Sequence, residues 1–163
     1  LRAISIVKQE IPDVKVNILG DGKLRKKMEN YVNNNKLSNN VFFKSWLTKS
    51  EMLFEYQTAS LTVIPSLNEG MSIATLEALS CGQYVIATKV SNNESLIEPG
   101  VNGSFIEKKN PKDIATKILD FYYSKFRKGY KIPCEYLTKF HSTYEWTNII
   151  DEYEDDLRKI VGK

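Results

Sequence analysis

Cysteine, histidine and long hydrophobic runs are what this chain has least of, and each scarcity removes a class of protein. Two cysteines in 163 residues, Cys81 and Cys134, make neither a disulfide framework nor a zinc site. A chain of this length buries roughly 70% of its extended surface and needs no such staple. Free thiols fit a reducing compartment, so the expected location is the cytoplasm. A single histidine, His141, excludes a histidine-based metal cluster. No apolar run approaches the roughly 18 residues of a membrane span. No secretory leader is recognisable, and the chain opens on Leu1 rather than Met. The pattern G-x-x-x-x-G-K-[ST] does not occur, which removes P-loop chemistry. The net charge of +3 is too small a surplus to imply nucleic acid as a partner. With 42% hydrophobic and 26% charged residues, the composition is that of an ordinary globular domain, neither a disordered tail nor a coiled-coil rod.

What is present is an alternation of periods. Leu1, Ile4, Val7 and Ile11 recur at helical spacing until Pro12 ends the run. Val14, Val16, Ile18 and Leu19 read as a strand, broken by Gly20-Asp21-Gly22. Leu24, Met28, Tyr31 and Val32 predict an amphipathic helix, and Val41-Phe42-Phe43 a short strand. Ser50 reads as an N-cap, with Leu53 and Tyr56 on the apolar face of the helix behind it. Leu61 to Ile64 is an unbroken apolar run stopped by Pro65, as in a strand buried on both faces. A helix from about Ser72 to Ser80, a strand from Tyr84 to Ala87, a short helix near 93–97 and a strand from Gly103 to Ile106 follow. Pro111 opens a helix with Ile114, Ile118 and Tyr122 inward. Residues 127–144 are the least regular part. Trp146, Ile149, Ile150, Tyr153, Leu157, Ile160 and Val161 then form the clearest helical stripe, expected over about 145–161 and packing back across the domain. The alternation predicts one α/β domain over 1–163, Rossmann-like, with a mostly parallel sheet covered by helices on both faces.

Gly20-Asp21-Gly22 follows a strand and opens a helix, where a dinucleotide loop would sit. The third glycine of that fingerprint is replaced by Arg25, and Lys44 stands where the ribose-binding acid would be. Two readings remain: a tight turn, or a glycine loop lying close to a phosphorylated ligand. Asp155-Asp156, beside Glu152 and Glu154, reads as a solvated helix face.

One constellation carries chemistry: Pro65-Ser66-Leu67-Asn68-Glu69-Gly70-Met71-Ser72-Ile73-Ala74-Thr75-Leu76-Glu77-Ala78. A buried strand ends, a polar loop follows and a helix begins, at the strand terminus where parallel sheets bind ligands. Ser72 is placed to cap the helix, leaving the amides of Ile73, Ala74 and Thr75 as donors for a phosphate. Eight residues separate Glu69 from Glu77, roughly 12 Å if both are helical and about 80° apart. That spacing excludes a paired acid and base at one bond and suits two ends of an elongated ligand. Carboxylates accept hydrogen bonds from vicinal hydroxyls, which sugars offer. The plainer alternative is a loop charge at Glu69 and a surface residue at Glu77.

Asn17-Ile18-Leu19-Gly20-Asp21-Gly22-Lys23-Leu24, the stretch Ala59-Ser60-Leu61 to Pro65-Ser66, Glu69-Gly70-Met71-Ser72 to Glu77-Ala78-Leu79, Cys81 to Thr88 and Glu98 to Gly103 together resemble family 4 retaining glycosyltransferases. The resemblance covers about residues 3–122. It implies the C-terminal, donor-binding lobe of a GT-B enzyme that moves a sugar from a nucleotide-sugar to an acceptor with retention, without a bound metal or other cofactor. Carried over, Glu69 is the catalytic-site carboxylate on the donor sugar hydroxyls. Gly70 and the backbone of Met71, Ser72, Ile73 and Ala74 meet sugar and phosphate, Glu77 holds the ribose, Gly20 borders the donor, and Ser45-Trp46-Leu47 lies along the base. For Trp46 a core position is the alternative. A GT-B sugar-nucleotide epimerase and a nucleotide-sugar binding module without transfer activity are the other functional readings.

The resemblance has departures. Met71 and Ser72 replace the family's usual aromatic and glycine, and Asn92-Asn93-Glu94-Ser95 replaces G-x-P-E, with Glu94 one place out of register. The family's Arg and Lys that neutralise the diphosphate lie upstream of the helix that begins this chain, as does the acceptor lobe. In a doubly wound sheet of order 3-2-1-4-5-6 the first strand is central. Here the opening residues read as a helix, so the expectation is a fragment of a longer polypeptide. Its sheet would be completed by another segment or chain, or by recruitment of residues 1–7. The basic stretches Lys23 to Lys27 and Lys125 to Lys131 are candidates for an anionic membrane surface carrying a lipid-linked acceptor.

Overall fold

Strand β4 (Val85–Thr88) shows why the domain has two cores. It is buried along its whole length. Side chains alternate across a strand, so Ile86 joins one apolar cluster while Val85 and Ala87 join another. In the computed structural model, which describes residues 1–90 and 92–161, β4 is the middle strand of a parallel three-stranded sheet between β3 (Thr62–Ile64) and β5 (Gly103–Ile106). A Cβ on Gly103 would stand 2.3 Å from the Val85 carbonyl oxygen, so only glycine lets β5 pack here. A second parallel pair joins β1 (Val16–Leu19) to β2 (Val41–Lys44).

Helices α1 (Arg2–Glu10), α2 (Arg25–Asn34) and α6 (Pro111–Ser124) cover one face through Val7, Val32, Ile118 and Phe121. Helices α3 (Lys49–Thr58), α4 (Ile73–Ser80), α5 (Asn93–Leu96) and α7 (Cys134–Tyr144) contribute Tyr56, Leu79, Leu96 and Phe140 to the other. Removing a buried aliphatic such as Ile86 costs about 2–5 kcal/mol. The covered parallel architecture is the one expected.

Several local expectations change. Residues 2–10 are helical and are not recruited into the sheet. Among the described residues β1 pairs only with β2 and β3 only with β4, so the two sheets show no strand between them. Thr48, not Ser50, caps α3: its hydroxyl accepts from the Glu51 amide at 3.3 Å, and Glu51 accepts from the Thr48 amide at 2.7 Å. This reciprocal box satisfies two orphan donors, which Ser50 in the first turn does not. Leu53 is exposed, whereas Tyr56 is buried. The irregular region contains helix α7, because Tyr136, Phe140 and Tyr144 recur every four residues, the first two rings stacked at 6.1 Å and the last two tilted at 4.7 Å. Helix α8 (Trp146–Val161) contacts α7. The Ile149, Ile150 and Leu157 of its apolar stripe face solvent, while the side chains of Trp146, Tyr153, Ile160 and Val161 lie outside the described structure.

Candidate functional site

The loop between β3 and α4 carries the Glu69-to-Glu77 constellation, and a buried polar chain fixes it. Thr88, at the end of β4, donates its hydroxyl to the Ser66 carbonyl at 2.6 Å. Ser66 in turn donates to Glu69 Oε1 at 3.0 Å. At the helix entry the Ser72 and Thr75 hydroxyls meet at 2.7 Å, and Thr75 donates to Asn93 Oδ1 at 2.8 Å. Asn93 Nδ2 closes the chain on the Thr88 carbonyl at 3.0 Å. Ser72, Thr75, Thr88 and Asn93 are all at most 1% exposed, so their polar atoms depend on one another rather than on water.

Ser72 therefore occupies the cap position without capping. Its hydroxyl turns inward to Thr75, and its own amide donates to Asn92 Oδ1 at 3.0 Å. The Ile73 amide donates to the Met71 carbonyl and the Thr75 amide to the Ser72 carbonyl, both at 3.1 Å. Two of the three amides expected to be free are thus engaged, and an anion at this helix end would exchange for the Ile73 bond. The asparagines that replace the usual glycine-containing turn are part of what holds the loop. Glu94 is exposed on α5.

The two carboxylates are both exposed. Glu69 stands in the loop. Glu77 stands on α4, where its Oε2 accepts from the Tyr56 hydroxyl at 3.1 Å. Burial, then the Glu77 charge, push the Tyr56 phenol far above its ordinary range, so it remains a neutral donor. Burial and the Glu77 charge likewise raise the Cys81 thiol, which ends the same helix. Gly70, Met71 and Ile73 are exposed and Ala74 half-buried, next in sequence to Glu69.

Two further loops hold the remaining candidates. Trp46 is 85% exposed, which removes the core alternative for it; Ser45 is exposed and Leu47 half-buried. Beneath them Lys44 ion-pairs with Glu55, and Asn17 donates to the same carboxylate at 2.6 Å. The Lys44 bond holds the Glu55 carboxyl below its ordinary value, against the effect of burial, with Asn17 contributing. Lys44, Leu47, Ser50, Glu51, Phe54 and Glu55 line a groove of about 440 Å³. Gly20 adopts a φ of 98°, a turn conformation that glycine tolerates. Arg25 is taken up by Glu29 at 2.6 Å and by the Phe43 ring.

Among the described residues no three of His, Cys, Asp and Glu gather as metal ligands. Asp156 pairs with Lys159 and Glu154 with Arg158 on an exposed face. No helix among the described residues is long and apolar enough to cross a membrane. The hydroxyls of Tyr56, Thr75 and Thr88 and the side-chain amide of Asn93 are the site groups that sequence reasoning missed. The only sequence signal was polar residues inside otherwise apolar runs, such as Thr88 after Val85-Ile86-Ala87.

Known proteins place this geometry. The chain is 30% identical over 162 residues to the poly(glycerol-phosphate) alpha-glucosyltransferase of Bacillus subtilis (strain 168), with 99% of the chain matched. It spans 24% of that relative's length, and 34% and 31% of two other curated relatives. Its structure matches the C-terminal domain of a glycosyl transferase group 1 family protein (LpcC) from Francisella tularensis with a TM-score of 0.74 and 26% identity, over 88% of this chain and 75% of that one. It also matches Anabaena Alr3699/HepE, solved with UDP and glucose, with a TM-score of 0.81 over 96% of this chain and 43% of that one; at 20% identity this likeness concerns the fold, which is that of GT-B glycosyltransferases. The description "Glycosyl transferases group 1" matches residues 1–131, and the chain belongs to that family.

Proposed function

We propose that this chain is the donor-binding lobe of a family 4 retaining glycosyltransferase, taking a hexosyl group from a UDP- or GDP-sugar in the synthesis of cell-surface polysaccharide or glycoconjugate. The observation that carries the reading is a pair of exposed carboxylates on one buried scaffold: Glu69 held by Ser66, Glu77 held by Tyr56. Glu77 takes the ribose hydroxyls, and Glu69 takes the donor sugar hydroxyls. Gly70 and the backbone of Met71 to Ala74 border sugar and diphosphate, with Gly20 beside them. Ser45, Trp46 and Leu47 face the base.

In the transfer, the bond from the sugar C1 to the diphosphate oxygen breaks and the nucleoside diphosphate leaves with the electron pair. The acceptor oxygen bonds to C1 on the same face and gives up its proton to the departing diphosphate oxygen. The negative charge growing on the diphosphate is favoured by the N-terminal end of α4. By the family resemblance, an Arg and a Lys upstream of α1 supply the rest, together with an acceptor lobe. The poly(glycerol-phosphate) glucosyltransferase relative and the UDP and glucose of the Anabaena protein support a UDP-hexose donor. The reaction needs no bound metal in this reading. Lys23, Lys26, Lys27, Arg127, Lys128 and Lys131 are exposed and suit a cytoplasmic membrane face with a lipid-linked acceptor, whereas Lys125 is used internally by the Gly100 carbonyl at 2.7 Å.

The test is calorimetric titration of the full-length protein with UDP-, GDP- and ADP-glucose, followed by product analysis with and without EDTA. One donor binds, and a sugar is linked to the acceptor with its anomeric configuration kept, in EDTA as well. Absence of binding to all three overturns the reading. An epimerised sugar nucleotide as the only product assigns the chain to an epimerase.

A further inference from the structure

We propose that Tyr56 is a positioning residue for the Glu77 carboxylate and, through it, sets how strongly the site distinguishes a ribose diol from a sugar lacking those hydroxyls. This rests on the donor-lobe reading above.

Tyr56 comes from α3 and Glu77 from α4, so the bond joins two helices 21 residues apart in sequence. The Tyr56 ring is only 7% exposed and packs in the cluster containing Ile64, Ala78 and Leu79. Its position is therefore set by the core. Glu77 is exposed, and a free glutamate side chain samples many rotamers. The 3.1 Å bond ties one end of that mobile carboxylate to a fixed point. A carboxylate has about four lone-pair sites. Tyr56 occupies one, which leaves enough for two vicinal hydroxyls. Because the phenol is held neutral by burial and by the Glu77 charge, it donates across the working pH range. A ring needed only for packing would not require its hydroxyl to end on the carboxylate.

The experiment is titration of the full-length protein with UDP, GDP and ADP and with the 2′,3′-dideoxy form of whichever binds most tightly. Wild type, Tyr56→Phe, Glu77→Ala and the double variant are compared. Tyr56→Phe keeps the ring and removes only the hydroxyl. The expected result is an affinity for the ribonucleotide lower by about 2- to 12-fold, the worth of one net hydrogen bond, with affinity for the dideoxy form unchanged. In the Glu77→Ala background, where no acceptor remains for the hydroxyl, Tyr56→Phe adds nothing. If Tyr56→Phe is unaltered toward the ribonucleotide, or loses equal affinity for both forms, Tyr56 is a packing residue and the proposal falls. If wild type and Glu77→Ala discriminate the two sugars equally, Glu77 is not on the ribose, and the donor-lobe assignment fails first. If Tyr56→Phe does not fold, Glu77→Asp takes its place, because it keeps the charge on a shorter arm that falls short of the Tyr56 hydroxyl: undiminished discrimination between the ribonucleotide and the dideoxy form overturns the proposal.

Discussion

The β1–α2 loop and the β3–α4 loop hold the same place in a strand-to-helix unit, and they are built in opposite ways. In the first, Asp21 accepts from the neighbouring Gly22 amide at 2.7 Å, and a Cβ on Gly22 would meet nothing within 4 Å. Past the Gly20 amide, which donates to the Lys44 carbonyl at 2.9 Å, that loop is held locally and stands open. The second is tied at Ser66, Ser72 and Thr75 to residues Thr88, Asn92 and Asn93 on the next unit. The glycine loop has the more familiar look in sequence, yet the polar loop is the one whose shape is fixed in advance. A preorganised loop loses less conformational freedom on binding, so more of each contact appears as affinity.

Cutting the buried chain should have the largest effect on stability. Asn93→Ala removes the acceptor of the Thr75 hydroxyl and one of the donors to the Thr88 carbonyl, leaving Thr75 only Ser72 and the carbonyl only the Val90 amide at 2.8 Å. Each lost hydrogen bond is worth about 0.5–1.5 kcal/mol. The expected loss is about 2 kcal/mol, roughly 4–8 °C in melting temperature for a domain of this size, with weaker donor binding alongside. A change within 1 °C would mean the chain does not fix the loop.

A smaller effect is expected under the base loop. The Glu55 carboxyl is held below its ordinary value of 4.5 by Lys44 and Asn17. The unfolded chain therefore takes up the proton first as pH falls. The stability this group confers is present above about pH 4.5 and is lost as the pH drops through the folded value. Glu55→Gln should flatten the acid limb of a melting-temperature profile, and an unchanged limb would remove Glu55 from the account.

The smallest effect belongs to the open loop. Gly22→Ala has room for its methyl group, so stability should move by less than about 0.5 kcal/mol. Donor affinity should change by less than about threefold, under 0.7 kcal/mol. A tenfold loss would show the glycine loop pressed against the phosphates and would reverse the contrast between the loops.

Local patterning carried much of the fold. Strand β4, the Pro111 start of α6 and the helical opening at residues 2–10 were legible because hydrophobic period and proline geometry act within a few residues. Helix α7 was not, because its inward Tyr136, Leu137, Phe140 and Tyr144 span little more than two turns and are interrupted by Thr138, Ser142 and Thr143, whose helical preference is weak. Thr48 outcompeted Ser50 as a cap because Glu51 could close the box with it. At the site, Glu69 and Glu77 stood out by spacing. Tyr56 and Asn93 did not, because their partners lie 21 and 18 residues away and only the folded chain brings them together.

The central claim is that Glu77 holds the nucleotide and Glu69 the transferred sugar. Calorimetric titration of a nucleoside diphosphate, bearing no sugar beyond its ribose, onto Glu77→Ala and Glu69→Ala variants of the full-length protein tests it directly. Loss of a charged hydrogen bond is worth about 1.5–3 kcal/mol, or roughly 10- to 150-fold in affinity. The account predicts a loss of that size in Glu77→Ala and almost none in Glu69→Ala, whose defect should instead show in donor-sugar discrimination and turnover. Equal and negligible losses in both variants, or a larger loss in Glu69→Ala, would contradict it.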